Sequence, residues 1–199
     1  MAENGEIEQL VSYFSRLPGM GSRSALRIVL HLLRKKDTVM NSIINSLQAV
    51  YKDAKICEIC GNVDVQTPCS ICSDKRRDSS KICVVADIAD LWSIEKANFY
   101  SGLYHVLGNK LSAVDGITPD DLNISGLCER IKNSDSIKEV ILALSADIDG
   151  QTTLFFIKDR IANFNIKITT LSQGVPIGSD LEYLDNGTIV AAFAQRREI

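Results

Sequence analysis

The sequence predicts a multidomain protein of mixed α+β and α/β class: a helical N-terminal module, a small four-cysteine module, and a C-terminal α/β domain on a largely parallel sheet. Three observations carry this expectation. Apolar residues recur at helical spacing through the first part of the chain. Four cysteines in two identical Cys-x-x-Cys pairs follow directly. Beyond Lys81, short apolar runs alternate with amphipathic stretches, as they do when buried parallel strands are joined by helices.

The elements follow in order. Ile7, Leu10, Val11, Phe14 and Leu17 form one stripe and predict a helix over Ile7–Leu17, broken by Pro18-Gly19 and Gly21. Ser22 reads as the N-cap of a second helix, Arg23–Leu33, with Ala25, Leu26, Val29, Leu30 and Leu33 facing a core. A third helix is expected over Thr38–Tyr51, with Val39, Ile43, Leu47 and Val50 on one face. After the cysteines, polar Ser73–Lys81 reads as a linker. Ile82–Ala86 is then a buried strand, Ile88–Asn98 a helix, Lys138–Leu144 a strand, Thr152–Asn163 a helix and Ile166–Leu171 a third strand. These elements divide the chain into modules 1–53, 54–78, 79–172 and 173–199, the last a C-terminal segment suited to an oligomer contact.

Composition narrows the classes. The 199 residues, 45% of them hydrophobic, suffice for one large domain or two small ones with a real core. No apolar run approaches the roughly 18 residues that span a bilayer. The polar, acidic start Met1–Gln9 does not read as a secretory signal, so a soluble cytoplasmic protein is expected. The formal net charge of -3 argues weakly against nucleic acid, but one basic patch can lie on an acidic whole.

Cysteine spacing gives the strongest chemical signal. Cys57-x-x-Cys60 and Cys69-x-x-Cys72 can each place two thiolates on one side of a tetrahedral Zn²⁺, at about 2.3 Å per bond. Gly61 suits the tight turn that follows such a pair. Four thiolates close the coordination shell, so the site reads as one structural zinc ion rather than a catalytic one. A redox pair or a disulfide framework does not explain two spaced pairs. Cys83 and Cys128 fall outside the pattern, and Cys83, in an apolar run, reads as packing.

A second signal is Leu17-Pro18-Gly19-Met20-Gly21-Ser22-Arg23, a short turn between two helices. Glycines there let a DNA backbone approach, and the N–H groups of the entering helix can donate to a phosphate oxygen. Arg23 and Arg27, with Arg34, Lys35 and Lys36 beyond them, add positive charge. An ordinary helical corner fits the same residues. The pattern is similar to the helix-hairpin-helix motif, which binds DNA without reading sequence, and that similarity favours DNA contacts at Gly19, Gly21, Arg23 and Arg27.

Asp147 and Asp149 follow a buried strand, where ligands of open α/β sheets bind. They fit either a Mg²⁺ site or a polar loop in which they cap the next helix while Gly150 makes a turn, and the lack of carboxylates on neighbouring strands favours caps. His31 and His105 read as packing or hydrogen-bonding residues rather than general bases. No Ser/His/Asp set, P-loop or dinucleotide fingerprint is present.

The whole chain resembles the RecR family of recombination mediators. The resemblance rests on Arg16–Gly21, Cys69–Asp78, Tyr100–Gly108, Leu111–Ile117 and Gly174–Tyr183. It implies a Toprim domain for about 81–170, the fold also used by topoisomerases and primases. It also implies a homo-oligomer, dimer or tetrameric ring, that works on DNA with RecO and often RecF to help load RecA at single-stranded gaps, associated with the nucleoid during repair.

Catalytic Toprim enzymes carry a glutamate ending the first strand and an Asp-x-Asp pair after a later one. The corresponding positions here are Ala86, with Asp87 beside it and facing away if the strand continues, and Ser145 with Asp147, followed by Asp149. Two-metal chemistry needs carboxylates on both strands. The set Asp87, Asp147, Asp149 is thus a degenerate acidic site, and a non-enzymatic DNA-binding clamp is expected. The alternative is a Mg²⁺-dependent Toprim nuclease or primase-like enzyme, which should hold carboxylates where Ala86 and Ser145 stand.

Overall fold

A computed structural model describes residues 5–196 of the chain; residues 1–4 of the polar start and 197–199 of the C-terminal segment lie outside the described residues. Two compact units are present, one ending at Ala54 and one beginning at Lys55.

In the first unit, α1 (Glu6–Ser15) packs on α2 (Ser22–Arg34), and a π-helical turn, Lys36–Met40, leads into α3 (Asn41–Asp53). The third helix therefore starts later than its apolar spacing predicts, after a π turn. Gly21, not Ser22, is the N-cap of α2, and no side chain caps that end. Ala25, Val29 and Leu32 are the buried residues of α2, a seam at i, i+4 and i+7. Leu26 and Leu30, expected in the core, are exposed because the unit supplies helices to one side of α2 only. Of the apolar face read for the third helix, Val39 falls in the π turn and is half-buried, while Ile43, Leu47 and Val50 lie on α3 and are exposed.

The second unit begins with a two-stranded hairpin, β1 (Lys55–Ile56) and β2 (Val63–Asp64), and a one-turn α4 (Ser70–Ser73). A four-stranded sheet follows in the order β4-β3-β5-β6, built from β3 (Asp78–Val85), β4 (Gly102–Val106), β5 (Glu139–Ala143) and β6 (Lys167–Thr170). Every pairing in it is parallel, with Val84 beside both His105 and Leu142. The connections carry α5 (Ile88–Lys96), α6 (Ile124–Lys132) and α7 (Ile148–Ile161), and α8 (Asn186–Ala194) follows β6.

The polar stretch before Ile82 is not a linker. Asp78 already pairs with Gly102, and Lys81 with Glu139, while Arg77 pairs with Glu95 of α5 and donates to Gly102 O at 3.0 Å. Its polar residues are held by backbone pairing and by Ser80, whose N and Oγ donate to Asp78 Oδ1, so the polarity is not a loss of structure. α7 begins at Ile148, four residues before the expected Thr152, because the Asp147 side chain accepts from Gly150 N and caps it. Gly150 is thus a buried first-turn residue, not a turn glycine.

Strand alternation divides the core between the two faces of the sheet. Ile82, Val84, Val140 and Leu142 meet Leu127 and Ile131 of α6 and Leu154, Ile157 and Ile161 of α7. Cys83, Val85, Tyr104 and Val106 point the other way, to Leu91 of α5 and to Cys57, Cys60, Cys69 and Ile71. The four-cysteine module therefore covers one face of the sheet, and Cys83 packs beneath it as expected.

Candidate functional site

The metal centre is built from two knuckles held by the hairpin and α4. Cys57 N donates to Asn62 O at 2.7 Å and Gly61 N to Cys57 O at 2.8 Å, with Gly61 at φ 76°, the left-handed conformation that the turn demands. Cys69 is the N-cap of α4, its sulfur accepting from Cys72 N at 3.4 Å, while Cys57 Sγ accepts from Cys69 N at 3.4 Å. The four Sγ atoms lie within 4.8 Å of one another, and those of Cys60 and Cys69 are 3.6 Å apart. A tetrahedral shell with Zn–S bonds of about 2.3 Å sets its sulfurs about 3.8 Å apart, so the donor set fits zinc. Burial works to raise the Cys57 thiol, but backbone N–H groups of Cys69, Cys60 and Ile59 outweigh it and hold the thiol at about 7. A hydrogen bond to Cys72 and burial push Cys60 up, and burial pushes Cys69 up. Such thiols ionise when a cation draws them together, and their N–H donors to sulfur remain in place.

The helical hairpin lies in the first unit. Met20 N donates to Leu17 O at 3.1 Å, Gly19 adopts φ 75°, and an added Cβ at Gly19 or Gly21 would meet no atom within 4 Å. That open backbone leads straight into the uncapped start of α2, where the first N–H groups lack intrahelical partners. Arg23 and Arg27 are both exposed on the helix it opens, one turn apart. His31, expected to pack or hydrogen-bond, is exposed on the same helix.

A cleft of about 530 Å³ opens at the carboxyl ends of β3, β4 and β5, lined by Ala86, Asp87, Asn109, Lys110 and Ser145 among others. The strand ends at Val85, before Ala86; Asp87 is the N-cap of α5, accepting from Ala89 N at 2.8 Å, and Asp90 accepts from Asp87 N in return. Asp147 accepts from Lys110 Nζ at 2.6 Å, Ser145 Oγ at 2.9 Å and Gly150 N at 2.7 Å. The Lys110 ammonium foremost, then the Gly150 N–H, hold its carboxyl at about 2. Asp149 lies in the first turn of α7. Among the described residues, the four cysteines are the one His, Cys, Asp or Glu group close enough to share a metal ion, so Asp87, Asp147 and Asp149 do not form a three-ligand cluster. Sequence reasoning does not single out Lys110; recognising Gly102–Val106 as a strand would place it at the mouth of the cleft.

His105 is fully buried on β4, with Nε2 2.7 Å from Asn123 O and Nδ1 unpartnered. Burial holds it down to about 4, which keeps it neutral at neutral pH. Packing and hydrogen bonding are its roles, as expected.

A parallel α/β sheet with a cleft at its strand ends, a four-thiol knuckle on one face and a helical hairpin module define a zinc-finger protein of Toprim type. Family models agree along the chain: the RecR helix-hairpin-helix model matches residues 7–51, the RecR four-cysteine zinc finger domain 54–74, the Toprim domain 80–172 and the RecR C-terminal model 174–197. A protein of Erythrobacter litoralis named Recombination protein RecR is 49% identical over 194 residues, 98% of each chain. Its namesake in Bartonella henselae is 49% identical over 98% of this chain and 96% of its own, and that of Brucella melitensis 49% over 96% and 94%. The chain belongs to the RecR family, and its zinc finger holds one structural zinc ion.

Proposed function

We propose that this chain is a DNA-binding mediator of recombinational repair that performs no catalysis of its own. It acts with RecO and RecF to help load RecA at single-stranded gaps, in the cytoplasm and at the nucleoid during repair. The observation that carries this reading is the hairpin: a glycine turn with open space at both Cα atoms, running into an uncapped helix start beside Arg23 and Arg27. Backbone N–H groups and arginines contact phosphates without reading bases, so the DNA contact at Gly19, Gly21, Arg23 and Arg27 is sequence-independent.

The modules 1–53, 54–78, 79–172 and 173–199 act as DNA-binding, zinc, Toprim and oligomer-contact segments. A dimer or tetrameric ring accounts for apolar faces left exposed within each unit, Ile43, Leu47 and Val50 on α3 and Leu181, Tyr183 and Phe193 near the C-terminus. A ring also presents several hairpins to one duplex, and the linked contacts bind more tightly than one hairpin alone. Against catalysis stand Ala86 and Ser145 at the positions of ligating carboxylates, and Lys110, whose ammonium already neutralises Asp147. No described helix is long and apolar enough to cross a membrane.

Electrophoretic mobility of gapped duplex DNA tests the reading. The protein should retard gapped DNA of unrelated sequences alike, and added RecO should produce a slower complex containing both proteins. Absence of any shift, with or without RecO, contradicts it.

A further inference from the structure

We infer that the DNA surface continues along α2 from Arg23 and Arg27 to His31 and Arg34, and that DNA binding takes up a proton at His31. This rests on the hairpin reading above. At 100° per residue, Arg23, Arg27, His31 and Arg34 fall within an arc of about 80°, and at 1.5 Å per residue they extend roughly 16 Å along the helix. All four are exposed, on the side opposite the buried seam Ala25, Val29 and Leu32. The helix carries no carboxylate, and among the described residues none of its arginines is in a salt bridge.

Arg27, His31 and Arg34 also line a groove of about 600 Å³ with Ser24, Ile28 and Leu30. The charged groups nearest in sequence are Arg27 one turn before His31 and Arg34 and Lys35 one turn after it. Of the elements packed against α2, α1 carries Glu6 and Glu8, and the π-helical turn carries Lys36 and Asp37. A strand of phosphates following Arg23, Arg27 and Arg34 brings an oxygen to the imidazole between them. A phosphate anion favours the imidazolium over the neutral ring, and histidine is the side chain that changes charge in the neutral range. His31 then adds a fourth cationic contact when protonated and none when neutral.

The sequence helps isolate this effect, because it holds two histidines and the other, His105, is buried, bonded to Asn123 O and neutral throughout that range. A pH response of DNA affinity that depends on an imidazole therefore reports on His31.

Anisotropy of a labelled gapped duplex, at constant ionic strength near pH 6 and near pH 8, tests the inference. Zinc content and circular dichroism are checked in every sample. The wild-type protein should bind about 3- to 10-fold more weakly at the higher pH. His31→Gln should bind weakly with no such difference, and His31→Arg tightly with none. A wild-type affinity that ignores pH, or a His31→Gln variant that keeps the full wild-type response, overturns the inference. Arg23→Ala and Gly21→Val, run in parallel, separate the two levels. If Arg23→Ala weakens binding while His31→Gln behaves as wild type, this inference alone fails; if Arg23→Ala and Gly21→Val both bind as wild type, the hairpin reading fails with it.

Discussion

The Lys110 ammonium lies 2.6 Å from Asp147 Oδ2 and 3.0 Å from Ser145 Oγ, joining the loop after β4 to the start of α7 across the mouth of the cleft. An internal cation thus occupies the carboxylate that the acidic site of a Toprim enzyme would offer to a metal. Neither Mg²⁺ nor Mn²⁺ should support cleavage, relaxation or priming of DNA. Nicking that requires a divalent ion and disappears in Asp147→Ala contradicts this. The same substitution removes the N-cap of α7 and should lower stability to urea by about 1 kcal/mol, the pair with partly exposed Lys110 adding little.

Zinc should be structural and visible to the single tryptophan. Trp92 Nε1 donates to Asn62 Oδ1 at 3.1 Å, two residues beyond the ligand Cys60, and Cys57, Cys60 and Cys69 belong to one of the two cores. Elemental analysis should find one Zn²⁺ per chain, and a chelator should shift Trp92 emission together with a loss of thermal stability. Because thiolates bind the ion, the zinc should leave more readily as pH falls. An emission spectrum unchanged by complete zinc removal contradicts the coupling.

Gly61 joins the knuckle to the sheet. It adopts φ 76°, and an added Cβ would lie 3.1 Å from Val106 O, while Cys60 O accepts from Val106 N at 2.7 Å. Gly61→Ala should therefore cost roughly 1–2 kcal/mol from backbone conformation alone, measured by urea unfolding of the zinc-loaded protein. Gly19→Ala, at similar φ but in open space, should cost no more than this.

His105 should make stability depend on pH. Its pKa, about 4 in the folded chain through burial, lies below the ordinary value near 6.5, so the unfolded state binds the extra proton between those limits. The contribution is present above about 6.5 and is lost as pH falls towards 4, about 2 kcal/mol between pH 7 and pH 5. His105→Gln, compared with wild type at both pH values, should lack this part of the slope. Parallel slopes for the two proteins contradict it.

Local signals are legible in the sequence and distant ones are not. Cys57, Cys60, Cys69 and Cys72 announce their site because ligand spacing is a local property, β3 and β5 do so because their apolar residues are contiguous, and β6 because Ile166 and Ile168 alternate with Lys167 and Thr169. Strand β4 escapes because Gly102, Tyr104 and His105 break the apolar run, and its burial comes from the knuckle and β3 on either side. α6 escapes too, its stripe of Ile124, Leu127 and Ile131 interrupted by Gly126, Glu129 and Arg130. Asp78–Lys81 reads as a linker because its polar residues pair through backbone, which composition does not register. The Lys110–Asp147 contact spans 37 positions and depends on β4 and β5 flanking β3, so no window of sequence contains it. The apolar face of α3 is readable as a stripe, but not as a face left open within its own unit, and α8 is not read from the sequence.

The most direct test of the central claim is the salt dependence of DNA binding by wild-type, Arg23→Ala and Gly21→Val proteins. If the hairpin holds phosphates, Arg23→Ala should weaken binding equally on unrelated sequences and reduce the slope of log K against log salt by roughly one per contacting protomer. Gly21→Val should weaken it by keeping the backbone away from the phosphate. Zinc content and fold should be unchanged in both. If both variants bind with wild-type affinity and slope, the hairpin is a structural corner and the DNA surface lies elsewhere on the chain.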